Sequence, residues 1–167
     1  MQSVKVLPEV LKPISWLAGS WATTDGRGKY PTIQDFSYHE VLEFTCIGQP
    51  MFNYLSHSKH PTKQTPMHQE RGFLRIQPGT NNLALVVSHN FGVTTIEEGQ
   101  LDPEEKKIKL CTTSVQRMQF AKKPAVTKLE RCIRLISDNT LEVVVFMETE
   151  NTAMTEHLRA IYTKQDC

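Results

Sequence analysis

From residue 34 to residue 163 the chain is a succession of strand-length segments separated by short clusters of turn formers, and none of its stretches has a helical period long enough for a crossover. That feature excludes most folds. Parallel neighbours need a connection of a dozen or more residues, so the sheet is expected to be antiparallel and up-and-down. Residues 36–47 carry Phe36, Tyr38, Leu42, Phe44 and Cys46 in one register and end at Gly48-Gln49-Pro50; residues 51–57 follow at hairpin distance. A polar loop over 58–66 leads into 67–76, closed by Gln77-Pro78-Gly79-Thr80-Asn81-Asn82, in which every residue favours a turn. The same rhythm continues through 83–89, 93–101, 107–115, 126–137, 141–149 and 155–163. With 19–23 as the first strand, this predicts roughly ten strands of about 5 to 12 residues. An all-β, closed antiparallel up-and-down barrel follows, because closure removes the exposed edges and leaves room for one ligand.

The barrel is expected to begin at Trp16-Leu17-Ala18-Gly19-Ser20-Trp21. Gly19 allows close approach to another strand, and Trp21, on the same face, offers a large flat plug. Gly26 and Gly28 are read as permitting a bend after this strand. Pro31 has no N–H for a ladder, so Tyr30-Pro31-Thr32-Ile33 is expected to be an irregular edge segment facing an opening. Residues 7–17 are interrupted by Pro8 and Pro13, which predicts a single helical or 3₁₀ turn closing one end with Trp16 and Leu17 as the lid. Residues 126–137 also fit a helical spacing through Leu129, Ile133 and Ile136.

Length is compatible with one domain over 1–167 that encloses a cavity as well as a core. Lys and Arg number 19 against 18 Asp and Glu, so no global field recruits nucleic acid or an anionic membrane. The longest apolar run, 143–147, is far too short to span a bilayer, and Lys5 and Pro8 interrupt the N-terminus before a signal-peptide core forms. Cys46, Cys111, Cys132 and Cys167 are scattered without a Cys-x-x-Cys pair, which reads as reduced thiols of a cytoplasmic protein.

Of the six histidines, His57-x-x-His60 with His68 has the look of a metal site, but the first two flank a hairpin tip bearing lysine and proline and read as solvated. No Ser-His-Asp order, phosphate-cradling loop or paired carboxylates stands out. On alternation alone His157 turns outward with Arg159, since Leu158, Ala160 and Tyr162 form the more apolar register; only a local bend or a partly polar lumen reverses this. The residues by themselves therefore specify a barrel with a cavity and no reaction.

Gly19-x-Trp21, Tyr30-Pro31-Thr32-Ile33, Pro66-Met67-His68-Gln69-Glu70 and Met154-Thr155-Glu156-His157-Leu158 occur in an order that resembles the nitrobindin family of haem-binding barrels, from about Pro8 to about Lys164. Thr23 departs from that family's next glycine, and Gly26 and Gly28 take over its role in a lengthened link. The resemblance implies one haem b per chain with His157 as the proximal iron ligand, Thr32 at the haem edge, and Met67 and His68 on the distal wall, only one of them pointing into the lumen. It also implies that the chain isomerises peroxynitrite to nitrate and binds nitric oxide, protecting tyrosine from nitration. Because the family also occurs in a zinc-finger protein, a nuclear location is compatible with it. A different class shares this architecture, the non-enzymatic carrier of an apolar molecule, which would use a buried arginine and tyrosine; Arg159 and Tyr162 are the imperfect candidates.

Overall fold

The computed structural model describes residues 6–166. A 3₁₀ segment (Glu9–Leu17) precedes ten strands: β1 (Gly19–Tyr30), β2 (Ile33–Thr45), β3 (Phe52–Lys59), β4 (Pro66–Ile76), β5 (Asn82–His89), β6 (Val93–Asp102), β7 (Lys107–Arg117), β8 (Val126–Ser137), β9 (Thr140–Thr149) and β10 (Thr152–Lys164). Each strand pairs antiparallel with the next in sequence, and β10 returns to β1 to close the barrel. The expected architecture is the observed one. Residues 126–137 are strand β8 despite their helical spacing, because Leu129, Arg131 and Ile133 alternate inward between β7 and β9. Cys46 is buried and Cys111 and Cys132 are half-buried, all three as free thiols; Cys167 lies outside the described residues. No helix of the described residues is long and apolar enough to cross a membrane.

The closed end is stoppered by the 3₁₀ segment, which kinks at Ile14 and so runs as two short pieces. Its Leu11, Ile14 and Leu17 are fully buried, each such side chain contributing about 1.5–3 kcal/mol relative to exposure. They form the lid in place of the expected Trp16, which is only partly buried and gives its Nε1–H to Pro13. Trp21 lies beneath them: its Nε1–H donates to the Leu17 carbonyl at 2.8 Å, and Lys164 Nζ sits 5.1 Å from its ring centre. Gly19 has φ +117°, a conformation other residues rarely adopt, and this lets the chain pass from the lid into β1.

Strand β1 does not end at Thr23. It continues to Tyr30 through a register shift between Thr23 and Gly26, so the glycine pair belongs to the strand instead of bending away from it. Gly26 faces Tyr38 and Gly28 faces Phe36 on β2, and an added Cβ would lie 2.3 Å and 2.1 Å from those rings. The two glycines are the floor on which the aromatic rings lie. Gly26→Ala is expected to lower stability by about 1–3 kcal/mol, through displacement of buried Tyr38; a urea midpoint equal to that of the parent would contradict this packing.

Candidate functional site

With the lid at one end, the hairpin turns after β1, β3, β5, β7 and β9 gather at the other and form a mouth. A cleft of about 680 Å³ lies there, its walls including Gly28, Lys29, Phe36, His60, Met67 and Glu156. Ligand pockets are commonly of that size. The enclosed lumen behind it, bordered by Tyr38, Glu40, Tyr54, His68, Glu70 and Arg131, keeps only about 20 Å³, room for about one water. Among the described residues the barrel's interior is filled below the mouth.

His157 sits at this mouth because β10 carries a β-bulge there. Glu156 pairs with Phe146 and Leu158 with Val145, leaving His157 as the extra residue between them. Leu158, Ala160 and Tyr162 keep the inward register, and the bulge brings the imidazole to the same side, with ring centres 5.3 Å from Tyr30 and 6.1 Å from Phe36. Strict alternation with Arg159 is thereby broken. Arg159 is exposed and paired with Glu156 and Glu142, and with Glu156 it borders the cleft.

His157 Nδ1 lies 2.9 Å from the Lys29 backbone carbonyl. A carbonyl oxygen only accepts, so Nδ1 carries the proton and Nε2 keeps its lone pair. Nε2 has no protein partner among the described residues, and no buried side-chain nitrogen or oxygen there lacks one, so Nε2 is accessible, beside Lys29, Phe36 and Glu156 of the cleft wall. Burial pushes the pKa of His157 below its ordinary value; the Lys29 bond opposes this and His68 adds to it, with a neutral ring at pH 7 as the result. A neutral, oriented imidazole with one free nitrogen is the donor that haem iron takes.

Thr32 stands at the exposed tip of the turn between β1 and β2, on the mouth's rim, while Tyr30 and Ile33 belong to the strands on either side. His68 shares the inward register of β4 with Glu70, Leu74 and Ile76, and Met67 lines the cleft. The structure thus gathers Met67, His68 and His157 at one end of the barrel. His57 is exposed on β3, and His60 Nδ1 accepts from the backbone N–H groups of Thr62 and Lys63, so neither joins His68.

Beneath His68 lies a buried polar cluster that periodicity did not single out. Arg131 uses all five of its guanidinium N–H groups: two go to Glu97, two to Glu70 and one to the Tyr54 hydroxyl, at 2.9–3.2 Å. Tyr54 O–H donates to Glu70 at 2.7 Å, and His89 Nδ1 stands 3.4 Å from the same carboxylate. Burial alone would raise the Glu70 pKa, but the Arg131 charge, with His68 and His89 behind it, holds the carboxyl well below the usual range. On the neighbouring wall Glu40 accepts from Ser56 at 2.5 Å and from Tyr162, and burial pushes its pKa upward. The signal available in the sequence was a charged residue in an apolar register on three strands, two negative and one positive: Glu70, Glu97 and Arg131.

The residues that the carrier class would use for a ligand's carboxylate are already engaged within the protein. Arg159 is paired with Glu142 and Glu156, Tyr162 spends its hydroxyl on Glu40, and buried Arg131 has no N–H left for a ligand's carboxylate. The lumen has no space for an acyl chain.

The cluster sets an acid limit on the fold. Burial pushes the pKa of His89 down to about 4. A folded-state pKa below the unfolded value of about 6.5 means full stability above that pH, with loss as the pH falls toward about 4, on the order of 3 kcal/mol at full titration. His68 and His157, also lowered by burial, act in the same direction. Glu70 is depressed as a carboxylate, so its contribution fades only below about pH 4.3. Urea midpoints are expected to drop between about pH 7 and pH 5, and less steeply in His89→Gln; equal slopes in the two proteins would contradict this assignment.

The family model of the "THAP4-like, heme-binding beta-barrel domain" matches residues 10–164. Human peroxynitrite isomerase THAP4 is 41% identical over 93% of this chain, which spans 27% of that protein's length. The peroxynitrite isomerase of Nocardia farcinica is 33% identical over 95% of this chain and 92% of its own. The crystal structure of Rv2717c from M. tuberculosis superposes with a TM-score of 0.87 at 31% identity, covering 96% of this chain and all of that one. With a ten-strand barrel of the same form and a match over nearly its whole length, the chain belongs to the THAP4-like, haem-binding β-barrel domain family.

Proposed function

We propose that this barrel holds one haem b at its mouth through His157 Nε2 and isomerises peroxynitrite to nitrate, with nitric oxide as a second small ligand. The observation that carries the reading is the bulge at His157, which brings the ring inward with Nδ1–H fixed on the Lys29 carbonyl and Nε2 free. Relatives named peroxynitrite isomerase, THAP4 in human and rat and the Nocardia protein among them, supply the reaction. Haem bound there would supply a ferric centre for the isomerisation of peroxynitrite to nitrate and, separately, for reversible binding of nitric oxide.

The chain's own residues do the rest. Tyr30 and Phe36 pack on the His157 ring and hold its plane, and the Lys29 carbonyl fixes its tautomer. Met67 lines the cleft and His68 the lumen's upper edge, giving a wall that confines a small oxidant, while Thr32 offers its hydroxyl from the rim to a propionate. The filled lumen below offers a small ligand no second compartment, and the chain's four tyrosines are all buried. Absorption spectra taken while haemin is added test the binding step: the Soret band is expected to shift from that of free haemin and to reach an endpoint at one haemin per chain. A spectrum that remains that of free haemin would overturn the proposal.

A further inference from the structure

Hydrogen bonds connect the barrel interior to the mouth in a line whose inner end fixes the direction of every member. Glu97 is fully buried and held on both oxygens by Arg131, Nε–H to Oε2 at 2.9 Å and Nη2–H to Oε1 at 3.1 Å. A carboxylate held in this way has only lone pairs to offer. Thr95 Oγ1 lies 3.2 Å from Glu97 Oε1, so the single hydroxyl hydrogen of Thr95 goes to Glu97. That leaves Thr95 Oγ1 an acceptor toward His89 Nε2, 3.0 Å away, and His89 must carry its hydrogen there. A neutral imidazole has one N–H. His89 Nδ1 is therefore bare and accepts from His68 Nε2 at 3.0 Å, which leaves His68 Nδ1 bare in turn.

The opposite tautomer is disfavoured by the same distances. If His89 gave a hydrogen from Nδ1 to Glu70, 3.4 Å away, then His89 Nε2 and Glu97 would compete for the one hydrogen of Thr95. One buried contact would then be acceptor against acceptor at 3.2 Å, Thr95 Oγ1 against Glu97, whereas the assigned tautomer leaves only the longer 3.4 Å approach of bare His89 Nδ1 to Glu70, beside a His68 Nε2–H that lies 3.7 Å from the same oxygen. Burial keeps both rings neutral at pH 7, since it lowers the pKa of His68 and of His89. The charged and titratable groups close to the pair are Glu70, Arg131, Glu97 and His157.

We infer that His89, Thr95 and Glu97 are positioning residues that lock His68 in its Nε2–H tautomer, so that His68 Nδ1 faces the mouth as a fixed hydrogen-bond acceptor for the hydroxyl of a small peroxy acid. The His68 side chain is 31% exposed, and Nδ1 has no protein partner among the described residues. Phe91, with ring centres 5.2 Å from His68 and 5.3 Å from His89, packs against the pair. An acceptor at this point would hold peroxynitrous acid by its O–H, with no covalent step of its own. The identity of that ligand rests on the peroxynitrite reading above; the tautomer does not.

The test is a long-range ¹H–¹⁵N correlation spectrum of the histidine rings in labelled protein without haem, at a pH where both rings are neutral, with signals assigned by single His→Gln variants. His68 and His89 are each expected to show a protonated Nε2 and a bare Nδ1. Thr95→Val is expected to give His89 a mixture of tautomers and to perturb His68, and Thr95→Ser, which keeps the hydroxyl, to restore the native pattern. A native His89 protonated at Nδ1, or rings unchanged by Thr95→Val, would overturn the inference. If Thr95→Val does not fold, the native pattern alone decides. A haemin titration of the same samples separates the two readings. Normal uptake with the wrong tautomer overturns the inference alone, while the expected tautomer without uptake supports the lock and overturns the haem proposal.

Discussion

Replacement of His157 by alanine is expected to cost the barrel most of its haemin affinity. Loss of a group that merely orients a metal-bound histidine costs about 10–100-fold in affinity, and loss of the donor itself should exceed that range. The fold should survive, because the ring sits at a bulge near the mouth, outside the cluster that fills the barrel. Residual association with the apolar cleft would show a Soret band unlike that of the parent. His57→Ala is the matched control, since that ring is exposed on β3 and contributes nothing to the mouth. Equal titration curves for His157→Ala and the parent would mean that the donor is misassigned.

Arg131→Met should be the most damaging substitution for stability. It leaves Glu70 and Glu97, both buried, without the permanently charged group that bonds to both. Breaking a buried ion pair from one side costs about 3–5 kcal/mol, here with two carboxylates abandoned at once. A fall in Tm of about 10 °C or more is the expected scale for a chain of this length. Adding Glu70→Gln and Glu97→Gln to the same chain should recover part of the loss, because amides need no counter-charge. A midpoint within experimental error of the parent would show that the cluster is not ionic as drawn.

The strand rhythm was legible because alternation and turn chemistry are local properties, and each of the ten strands carries its own pattern. The fate of Gly26 and Gly28 was less so. Permissive glycines suit a bend as well as a strand, and only the rings of Tyr38 and Phe36 on the facing strand decide between them. His157 shows the same limit more sharply. Its sequence neighbours assign it to the outer face, and the bulge that reverses this arises from how β10 pairs with β9, which no single strand encodes. Glu70, Glu97 and Arg131 were visible as charges in apolar registers, but their mutual pairing spans up to 61 positions and exists only once the barrel closes. Thr32, Met67 and His68 came from the order of motifs, and the fold brings the last two to the same end as His157.

The most direct measurement is stopped-flow decay of peroxynitrite with the ferric haem-loaded protein, with nitrate yield and nitration of added free tyrosine followed in the same mixtures. Decay is expected to accelerate in proportion to protein concentration, with nitrate as the main product, less nitrotyrosine, and no acceleration by His157→Ala. Decay no faster than with the haem-free barrel, or undiminished nitration of tyrosine, would contradict the account.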